Sequence, residues 1–198
     1  MLLRPKSKLS FKNKWVHSLK FKEHTDYDLA GNVSAISIKS ESGSVFDFYR
    51  SNPLENPEDF SYTALYEKVE EVKNIVDYFD FIQTSRVRIH KQDPGQKIDF
   101  HTDGNNVNAQ KPEDYNLRMV TALTESEHFV YRFKFNGEIQ EMSLEVGESV
   151  IFDPDLVEHS MENTSEDKTR YALVQVFKAY PVTNGLLEFI KSDDIILI

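Results

Sequence analysis

The chain has 198 residues, of which 39% are hydrophobic and 12% aromatic, with no cysteine and a formal net charge of −10. These values fit one globular domain over residues 1–198 with a sizeable core. The absence of cysteine excludes disulfides and thiolate metal sites, so a bound metal must take His, Asp or Glu ligands. Because no apolar run suits a bilayer span and the N-terminus has no secretory h-region, we predict a cytoplasmic protein without membrane contact.

The positive charge is concentrated at the start of the chain. Residues 1–22 contain seven of the 23 Lys and Arg residues, whereas all 33 Asp and Glu residues follow. Leu9, Phe11, Leu19 and Phe21 alternate with polar residues there, which predicts an edge strand blunted by lysine. A nucleic-acid surface is the weaker interpretation, because the segment has no groove-binding motif and the acidic body would repel phosphate.

The predicted elements change in period along the chain. Short strands, including one over residues 32–38, precede an amphipathic helix over residues 61–81, whose apolar stripe is Leu65, Val69, Val72, Val76 and Phe79. Beyond Gln83 the period falls to two. Strands are then predicted over residues 86–90, 98–101, 117–123, 129–135, 139–144, 149–152, 157–162 and 169–177.

Turn signals separate these strands. Pro94-Gly95 and Asn136-Gly137 mark tight turns, residues 104–116 form a polar loop, and the apolar tail over residues 185–198 suits a short helix and strand. Many short strands joined by polar turns predict a mainly β sandwich or jelly roll with one or two supporting α-helices.

Two histidines and an aspartate are the strongest candidate metal ligands. His101 and Asp103 lie two residues apart, and His159 opens a later strand that we expect across the barrel from them. Two imidazoles and one carboxylate form the facial triad of non-haem Fe(II) oxygenases. We expect His101 to face away from Ile98 and Phe100, and to share its face with Asp103.

The tripeptide alone is weak evidence, because His24-Thr25-Asp26 repeats it letter for letter. His24 stands in a polar stretch without a preceding Pro-Gly turn, which favours a surface position. His17 and His128 have no motif around them and are interpreted as structural or surface residues.

Two arginines are candidates for binding an anionic cosubstrate. Arg170 alternates with Ala172, Val174 and Val176, so its side chain is expected among apolar neighbours on a strand that returns beside the His159 strand. A buried arginine needs a partner, and a ligand carboxylate suits its planar fork. Arg118 is the second candidate.

From about Arg86 to Pro181 the sequence resembles the Fe(II)/2-oxoglutarate-dependent dioxygenases, and among them the aspartyl/asparaginyl β-hydroxylase-like family. The resemblance rests on Asp93-Pro94-Gly95 with Asp99-Phe100-His101-Thr102-Asp103, Leu117-Arg118-Met119, residues 147–153, residues 158–163 and Thr169-Arg170-Tyr171-Ala172-Leu173. Residues 1–85 show no such match.

The resemblance implies a double-stranded β-helix, a cupin-like jelly roll, with Fe(II) on His101, Asp103 and His159. Arg170 would bind the far carboxylate of 2-oxoglutarate, and Arg118 and His90 would also contact this cosubstrate. His90 suits a satisfied strand histidine equally well.

The implied reaction consumes O2 and 2-oxoglutarate, releases succinate and CO2, and hydroxylates an amino acid or a peptidyl or protein side chain, with ascorbate as a candidate reductant. Asn105, Asn106 and Asn108, in the loop after Asp103, are candidates for contacting the substrate. The alternative is a non-oxidative jelly-roll metal protein, such as a cupin-like isomerase or sensor. A nucleic-acid substrate is disfavoured by the acidic body.

Overall fold

The computed structural model describes residues 2–5, 8–24, 32–48, 56–78, 83–103, 116–125, 128–178 and 195–197. The strands are β1 (Leu2–Pro5), β2 (Lys22–Glu23), β3 (Ser34–Ser40), β4 (Ser61–Tyr62), β5 (Thr84–Gln92), β6 (Lys97–His101), β7 (Asn116–Ala122), β8 (Phe129–Phe135), β9 (Glu138–Met142), β10 (Ser149–Phe152), β11 (Glu158–Asn163), β12 (Arg170–Lys178) and β13 (Ile195–Leu197). The α-helices are α1 (Ala64–Lys68) and α2 (Glu70–Val76), and short 3-10 helices cover Lys14–Ser18 and Pro57–Asp59.

The strands form two antiparallel sheets. The larger has the order β13-β1-β10-β7-β12-β5-β3-β2, with β4 also paired to β3, and the smaller has the order β6-β11-β8-β9. Consecutive strands such as β5 and β6, β7 and β8, or β11 and β12 lie in different sheets. This alternation is the jelly-roll arrangement, and it confirms the predicted mainly β fold with supporting helices.

The larger sheet buries both of its faces. Its inner face meets the smaller sheet through an inner cluster that includes Phe152, Val174, Tyr131 and Phe133. Its outer face carries an outer cluster with the helices, in which the strand residues include Ile89, Leu117, Met119, Leu173 and Phe177 and the helix residues include Leu65, Val72 and Val76. Residues that alternate along one strand therefore separate into the interior of the jelly roll and the helix side.

The predicted single helix over residues 61–81 is wrong in extent. Residues 61–62 are a strand, and the helix is interrupted at Val69, whose backbone has φ −119 and ψ 99. β-Branched residues lose side-chain freedom in a helix, which makes Val69 a weak point. The buried stripe is confirmed at Leu65, Val72 and Val76, while Phe79 lies outside the described residues.

The predicted edge strand is wrong at the residues that suggested it, since Leu9, Phe11, Leu19 and Phe21 lie outside the strands. In this segment β1 is paired on both sides, and only β2 (Lys22–Glu23) lies at a sheet edge, beside β3. Leu9 instead packs in the outer cluster, and its backbone N–H donates to the Gly147 carbonyl at 3.0 Å. Arg4 pairs with Glu148 at 2.6 Å and Lys8 with Glu145 at 2.5 Å. Part of the basic charge therefore holds this segment to an acidic turn of the same chain.

Gly147 is the glycine with the tightest requirement. Its φ is +84, and a Cβ built there would overlap the backbone oxygen of Leu9. We expect Gly147→Ala to lower the unfolding free energy by about 2–4 kcal/mol, because left-handed strain and a forced backbone shift add together.

The matched control is Gly137→Ala. Gly137 has φ +85 in the Asn136-Gly137 turn, and no atom lies within 4 Å of the position that an added Cβ would take. The variant carries the backbone strain alone, about 1–2 kcal/mol. Urea unfolding of both variants measures the difference, and equal losses would refute the role assigned to the Leu9–Gly147 contact.

The remaining strand predictions hold to within a few residues, and both turn predictions are confirmed by positive φ at Gly95, Asn136 and Gly137. In the tail, Ile195–Leu197 forms β13 beside β1, and the predicted helix lies outside the described residues. No helix in the described ranges is long and apolar enough to cross a membrane.

Candidate metal centre and arginine pocket

A β-bulge in β6 turns His101 into the interior. Met161 is paired with Ile98 and His159 with His101, so β11 advances two residues while β6 advances three. The extra residue reverses the alternation of side chains, as bulges do. His101 therefore faces inward with Ile98, and the prediction that it faces away from Ile98 is wrong.

His159 lies on the neighbouring strand, not across the barrel. β11 is paired directly with β6, and the two imidazole rings have centroids 4.4 Å apart. His159 is fully buried, with its ring against Phe152. The smaller sheet alone thus brings the two histidines together.

Asp103 completes the group from just beyond the end of β6. Its backbone N–H donates to the Pro154 carbonyl at 2.9 Å. Its Oδ1 atom lies 3.6 Å from His101 Nε2 and 3.8 Å from His159 Nε2. The sequence spacing correctly predicted that Asp103 approaches His101, although Asp103 lies on irregular backbone beyond the end of the strand and not in the strand itself.

Both imidazoles are oriented by backbone carbonyls. His101 Nδ1 lies 2.9 Å from the Asp99 carbonyl, and His159 Nδ1 lies 2.9 Å from the Val157 carbonyl. With Nδ1 as the donor, the lone pair of each Nε2 points at the space beside Asp103. Such outer contacts are the usual way in which metal-binding histidines are held.

The charges in this group suit a cation. Burial lowers the pKa of His159 to about 4, so that its imidazole is neutral at physiological pH. Burial alone would raise the pKa of Asp103, but the charge of Arg118 and the hydrogen bond with His101 hold it well below its usual range. Burial alone would lower the pKa of His101, but its hydrogen bond with Asp103 raises this pKa above the usual value, so the carboxylate favours positive charge at this position. The donor atoms of the two imidazoles and the carboxylate lie within 4.8 Å of one another and can hold a divalent metal.

Arg118 reaches this group from the larger sheet. Its Nη2 donates to Asp103 Oδ2 in a close ion pair, and its Nη1 lies 3.4 Å from His159 Nε2. Its Nε is buried and has no hydrogen-bond partner among the described residues. The sequence identified Arg118 as a candidate for binding the cosubstrate, but it did not predict that Arg118 pairs with the candidate ligand Asp103.

Arg170 occupies the other end of the same interior face. The strand that carries it pairs with β5 and β7 in the larger sheet, so the prediction that it returns beside the His159 strand is wrong. The prediction that Arg170 is buried is confirmed, because the residue is only 3% exposed. Nη2 donates to the Tyr131 hydroxyl at 2.9 Å and Nη1 to Gln92 Oε1 at 3.2 Å, while the guanidinium lies over the Phe129 ring.

No carboxylate of the described residues pairs with Arg170. Both hydrogen-bond acceptors are neutral, and the Nε atom has no partner within the described part of the chain. Burial lowers the pKa of Arg170 to about 10, so the guanidinium remains charged at neutral pH. A buried cation of this kind is costly without an anion, which makes it a candidate carboxylate site.

His90 lies on the inner face of β5, in register with Ala172. It is buried, and neither ring nitrogen has a hydrogen-bond partner among the described residues. Burial, followed by the charges of His24 and Arg88, lowers its pKa well below the usual value. The prediction of an inward-facing polar side chain agrees with this position.

His24, predicted to lie on the surface, is buried with 1% exposure. Its ring stacks on Phe48 with centroids 4.8 Å apart, and its Nε2 accepts a hydrogen bond from Arg88 Nη1 at 2.9 Å. The sequence signal that was missed is the alternation of Arg86, Arg88 and His90, which places three polar residues on the inner face of β5 and requires partners from the N-terminal half.

We expect His24 to make the fold acid-sensitive. Burial and the nearby charge of Arg88 lower its pKa to about 3. Below about pH 6.5 the unfolded chain binds a proton at this residue that the folded chain does not. The free energy of unfolding therefore decreases as the pH is lowered, and His24 alone accounts for a loss of about 2 kcal/mol at pH 5. His24→Gln retains an acceptor and should remove that loss between pH 7.5 and pH 5 in urea unfolding. Parallel pH profiles of variant and wild type would contradict the assignment.

Other predicted residues lie elsewhere. His17 contacts the Tyr171 ring on the outer side of the larger sheet, and His128 is exposed. The loop residues Asn105, Asn106 and Asn108 lie outside the described residues.

No protein-family model matches the sequence, and no curated protein matches it. Solved structures with a similar fold include a 2OG-Fe(II) oxygenase family oxidoreductase from Burkholderia pseudomallei, with a TM-score of 0.51 at 12% identity over 80% of this chain and 72% of that one. The non-heme alpha ketoglutarate dependent epimerase SnoN from nogalamycin biosynthesis has a TM-score of 0.51 at 9% identity, over 83% of this chain and 68% of that one. The chain therefore shares the jelly-roll fold found in 2-oxoglutarate-dependent oxygenases.

Proposed function

We propose that the protein is an Fe(II)- and 2-oxoglutarate-dependent dioxygenase of the aspartyl/asparaginyl β-hydroxylase-like family. The observation that carries the proposal is one interior face with two complementary ends. A three-donor group suited to a metal lies at one end, and Arg170, a buried guanidinium without a carboxylate among the described residues, lies at the other.

His101, Asp103 and His159 would hold the iron. The donor set contains no thiolate and offers two imidazole nitrogens and one carboxylate oxygen on one side, which suits Fe(II) with open positions. Bound Fe(II) would supply the activation of O2 that couples conversion of 2-oxoglutarate to succinate and CO2 with hydroxylation of the substrate. The hydrogen bonds to the Asp99 and Val157 carbonyls keep both Nε2 atoms directed at the metal.

The inner face between the two arginines suits a short dicarboxylate. Arg118 is in register with Val176, six residues and therefore about 20 Å along β12 from Arg170. The strand residues between them on this face are small, namely Val120, Ala122, Ala172 and Val174. We infer that a molecule of the size of 2-oxoglutarate would lie over these residues, between the two guanidinium groups.

Each polar group then has a role. Arg170, oriented by the Tyr131 hydroxyl and Gln92, would bind the far carboxylate through its planar fork. Arg118 would contact the end nearer the metal with the N–H groups that Asp103 leaves, including Nε. His90, whose ring nitrogens have no partner among the described residues, would donate a hydrogen bond to the cosubstrate from β5.

The substrate that we propose is an amino acid or a peptidyl or protein side chain. A groove of about 240 Å³ runs along β6 to His101, and it is lined by Asn32, Lys97, Ile98, Asp99, Phe100 and His101. It is smaller than most pockets for drug-sized ligands, and the charges of Lys97 and Asp99 at its rim pair with each other at 3.1 Å. Its size and polar lining favour a small polar group next to the candidate metal ligand.

The test is conversion of 2-oxoglutarate to succinate by protein reconstituted with Fe(II), with and without ascorbate as reductant. Amino acids and peptides are screened for stimulation, and products for a mass gain of ~16 Da, the addition of one oxygen expected from iron oxygenase chemistry. We expect succinate release to require Fe(II) and to be lost with a chelator. Metal binding without consumption of 2-oxoglutarate would instead support a cupin-like isomerase or sensor.

A further inference from the structure

The two carboxylate oxygens of Asp103 face different partners. Oδ1 lies 3.6 Å from His101 Nε2 and 3.8 Å from His159 Nε2, the two atoms that would bind the metal. Oδ2 accepts the hydrogen bond from Arg118 Nη2. The carboxylate is therefore divided between the candidate metal position and a guanidinium.

The two members of this ion pair are anchored to different degrees. Arg118 lies on β7, which is paired on both sides, with Phe152 of β10 and Val176 of β12 in register with it. Asp103 lies two residues beyond the end of β6, outside any strand, and its backbone N–H donates a single hydrogen bond, to the Pro154 carbonyl. Arg118 therefore provides the fixed reference, and the Asp103 side chain is the part that it restrains.

The pair is also largely shielded from water, because the side chains of Arg118 and Asp103 are 14% and 12% exposed. Charge-assisted hydrogen bonds in such surroundings are stronger and shorter than neutral ones. Breaking the pair would remove a restraint that keeps Oδ1 directed at the two Nε2 atoms, so part of the metal's binding energy would be spent on ordering the carboxylate.

We propose that Arg118 is a positioning residue that retains Asp103 Oδ2 and leaves only Oδ1 for the metal. This inference rests on the proposed function, and it gives Arg118 a task besides contacting the cosubstrate. A carboxylate that binds through one oxygen occupies one metal position, whereas binding through both would take a second position that the cosubstrate requires. Arg118 thus acts on the metal through Asp103.

The proposal is tested by metal binding without cosubstrate. Co(II) alone is titrated, by calorimetry and by its visible absorption spectrum, into the wild type and into Arg118→Gln, Arg118→Lys, Asp103→Ala and the double variant Arg118→Gln/Asp103→Ala. Removal of an outer contact to a metal ligand lowers metal affinity by about 10–100-fold. We expect this loss in Arg118→Gln, a partial recovery in Arg118→Lys and an altered Co(II) spectrum in Arg118→Gln.

The double variant identifies the route of the effect. If Arg118 acts through Asp103, the glutamine substitution should have little further effect on Co(II) affinity in the Asp103→Ala background. The proposal would be overturned if Arg118→Gln lowered Co(II) affinity equally in the wild type and in Asp103→Ala. It would also be overturned if Arg118→Gln left Co(II) affinity unchanged and weakened only 2-oxoglutarate binding. Arg132→Gln is the matched control, because Arg132 pairs with Glu141 and Glu162 on the surface side of β8.

This experiment is independent of turnover. If the effects of Arg118→Gln and Asp103→Ala on Co(II) affinity are not additive but the wild type releases no succinate, the positioning role stands and the dioxygenase is refuted. If the wild type releases succinate but the two losses of Co(II) affinity are additive, the dioxygenase stands and the positioning role is refuted. Where Arg118→Gln fails to fold, as judged by circular dichroism, Arg118→Met against wild type gives the same readout, because methionine also lacks a donor for Asp103 Oδ2, and unchanged affinity and spectrum there would overturn the proposal.

Discussion

His159→Ala should reduce Fe(II)-dependent succinate release by more than about 100-fold, because it removes a metal ligand and not merely an outer contact, whose loss alone costs about 10–100-fold. His159 is the best anchored of the three candidate ligands. It is fully buried, its Nδ1 is held by the Val157 carbonyl, and its Nε2 lies 3.8 Å from Asp103 Oδ1. Metal titration and succinate release measure the effect.

The alanine variant also leaves a cavity next to Phe152, so a loss of activity must be separated from a loss of structure. His159→Gln fills most of that space and tests the ligand with less disturbance of the core. His128→Ala, an exposed histidine at the start of β8, should leave metal binding and turnover unchanged. Retained Fe(II) affinity and turnover in both His159 variants would show that the metal centre is misplaced.

The sequence predicted which residues form the site better than how they come together. The two-residue period of apolar side chains predicted the strands. The spacing of His101, Asp103 and His159 identified three residues whose donor atoms lie within 4.8 Å of one another in the structure. The side of the sheet on which His101 lies was mispredicted, because a single extra residue in β6 reverses the alternation. A bulge is specified by the pairing of two strands, and no property of residues 98–101 alone reveals it.

The position of Arg170 illustrates a second limit. Alternation with Ala172 and Val174 correctly predicted its burial, but the short polar connection after β11 suggested a hairpin. In the structure this connection passes from the smaller sheet to the larger one. Local sequence signals specify a strand and its faces, whereas the partner of each strand depends on long-range packing.

His24 was mispredicted for a related reason. Its polar neighbours along the chain favoured a surface position, yet Arg88 and Phe48 provide a buried environment from strands and loops distant in sequence. The residues 1–85 lack a recognisable motif, but they contribute the wall of the interior next to His90.

Arg170→Met should raise the dissociation constant for 2-oxoglutarate by about 30-fold or more, because truncating one partner of a buried charge pair costs about 2 kcal/mol or more. In the absence of 2-oxoglutarate the same substitution should leave the unfolding free energy unchanged or increase it, since an apolar side chain of similar length replaces a buried charge whose described partners are neutral. The two opposite expectations distinguish a ligand-binding arginine from a structural one.

The measurement is unfolding by urea with and without 2-oxoglutarate, in the presence of a metal that supports binding but not turnover. At about 100 times its dissociation constant the ligand should stabilise the wild type by about 2.7 kcal/mol, and it should stabilise Arg170→Met far less at the same concentration. Tyr131→Phe removes one hydrogen bond to the guanidinium and should give a smaller loss of affinity, about 1 kcal/mol. Arg132→Met, on the other face of β8, should behave as wild type towards the ligand. If Arg170→Met is destabilised without ligand and binds 2-oxoglutarate as tightly as wild type, Arg170 serves the core, and the anion site must lie elsewhere.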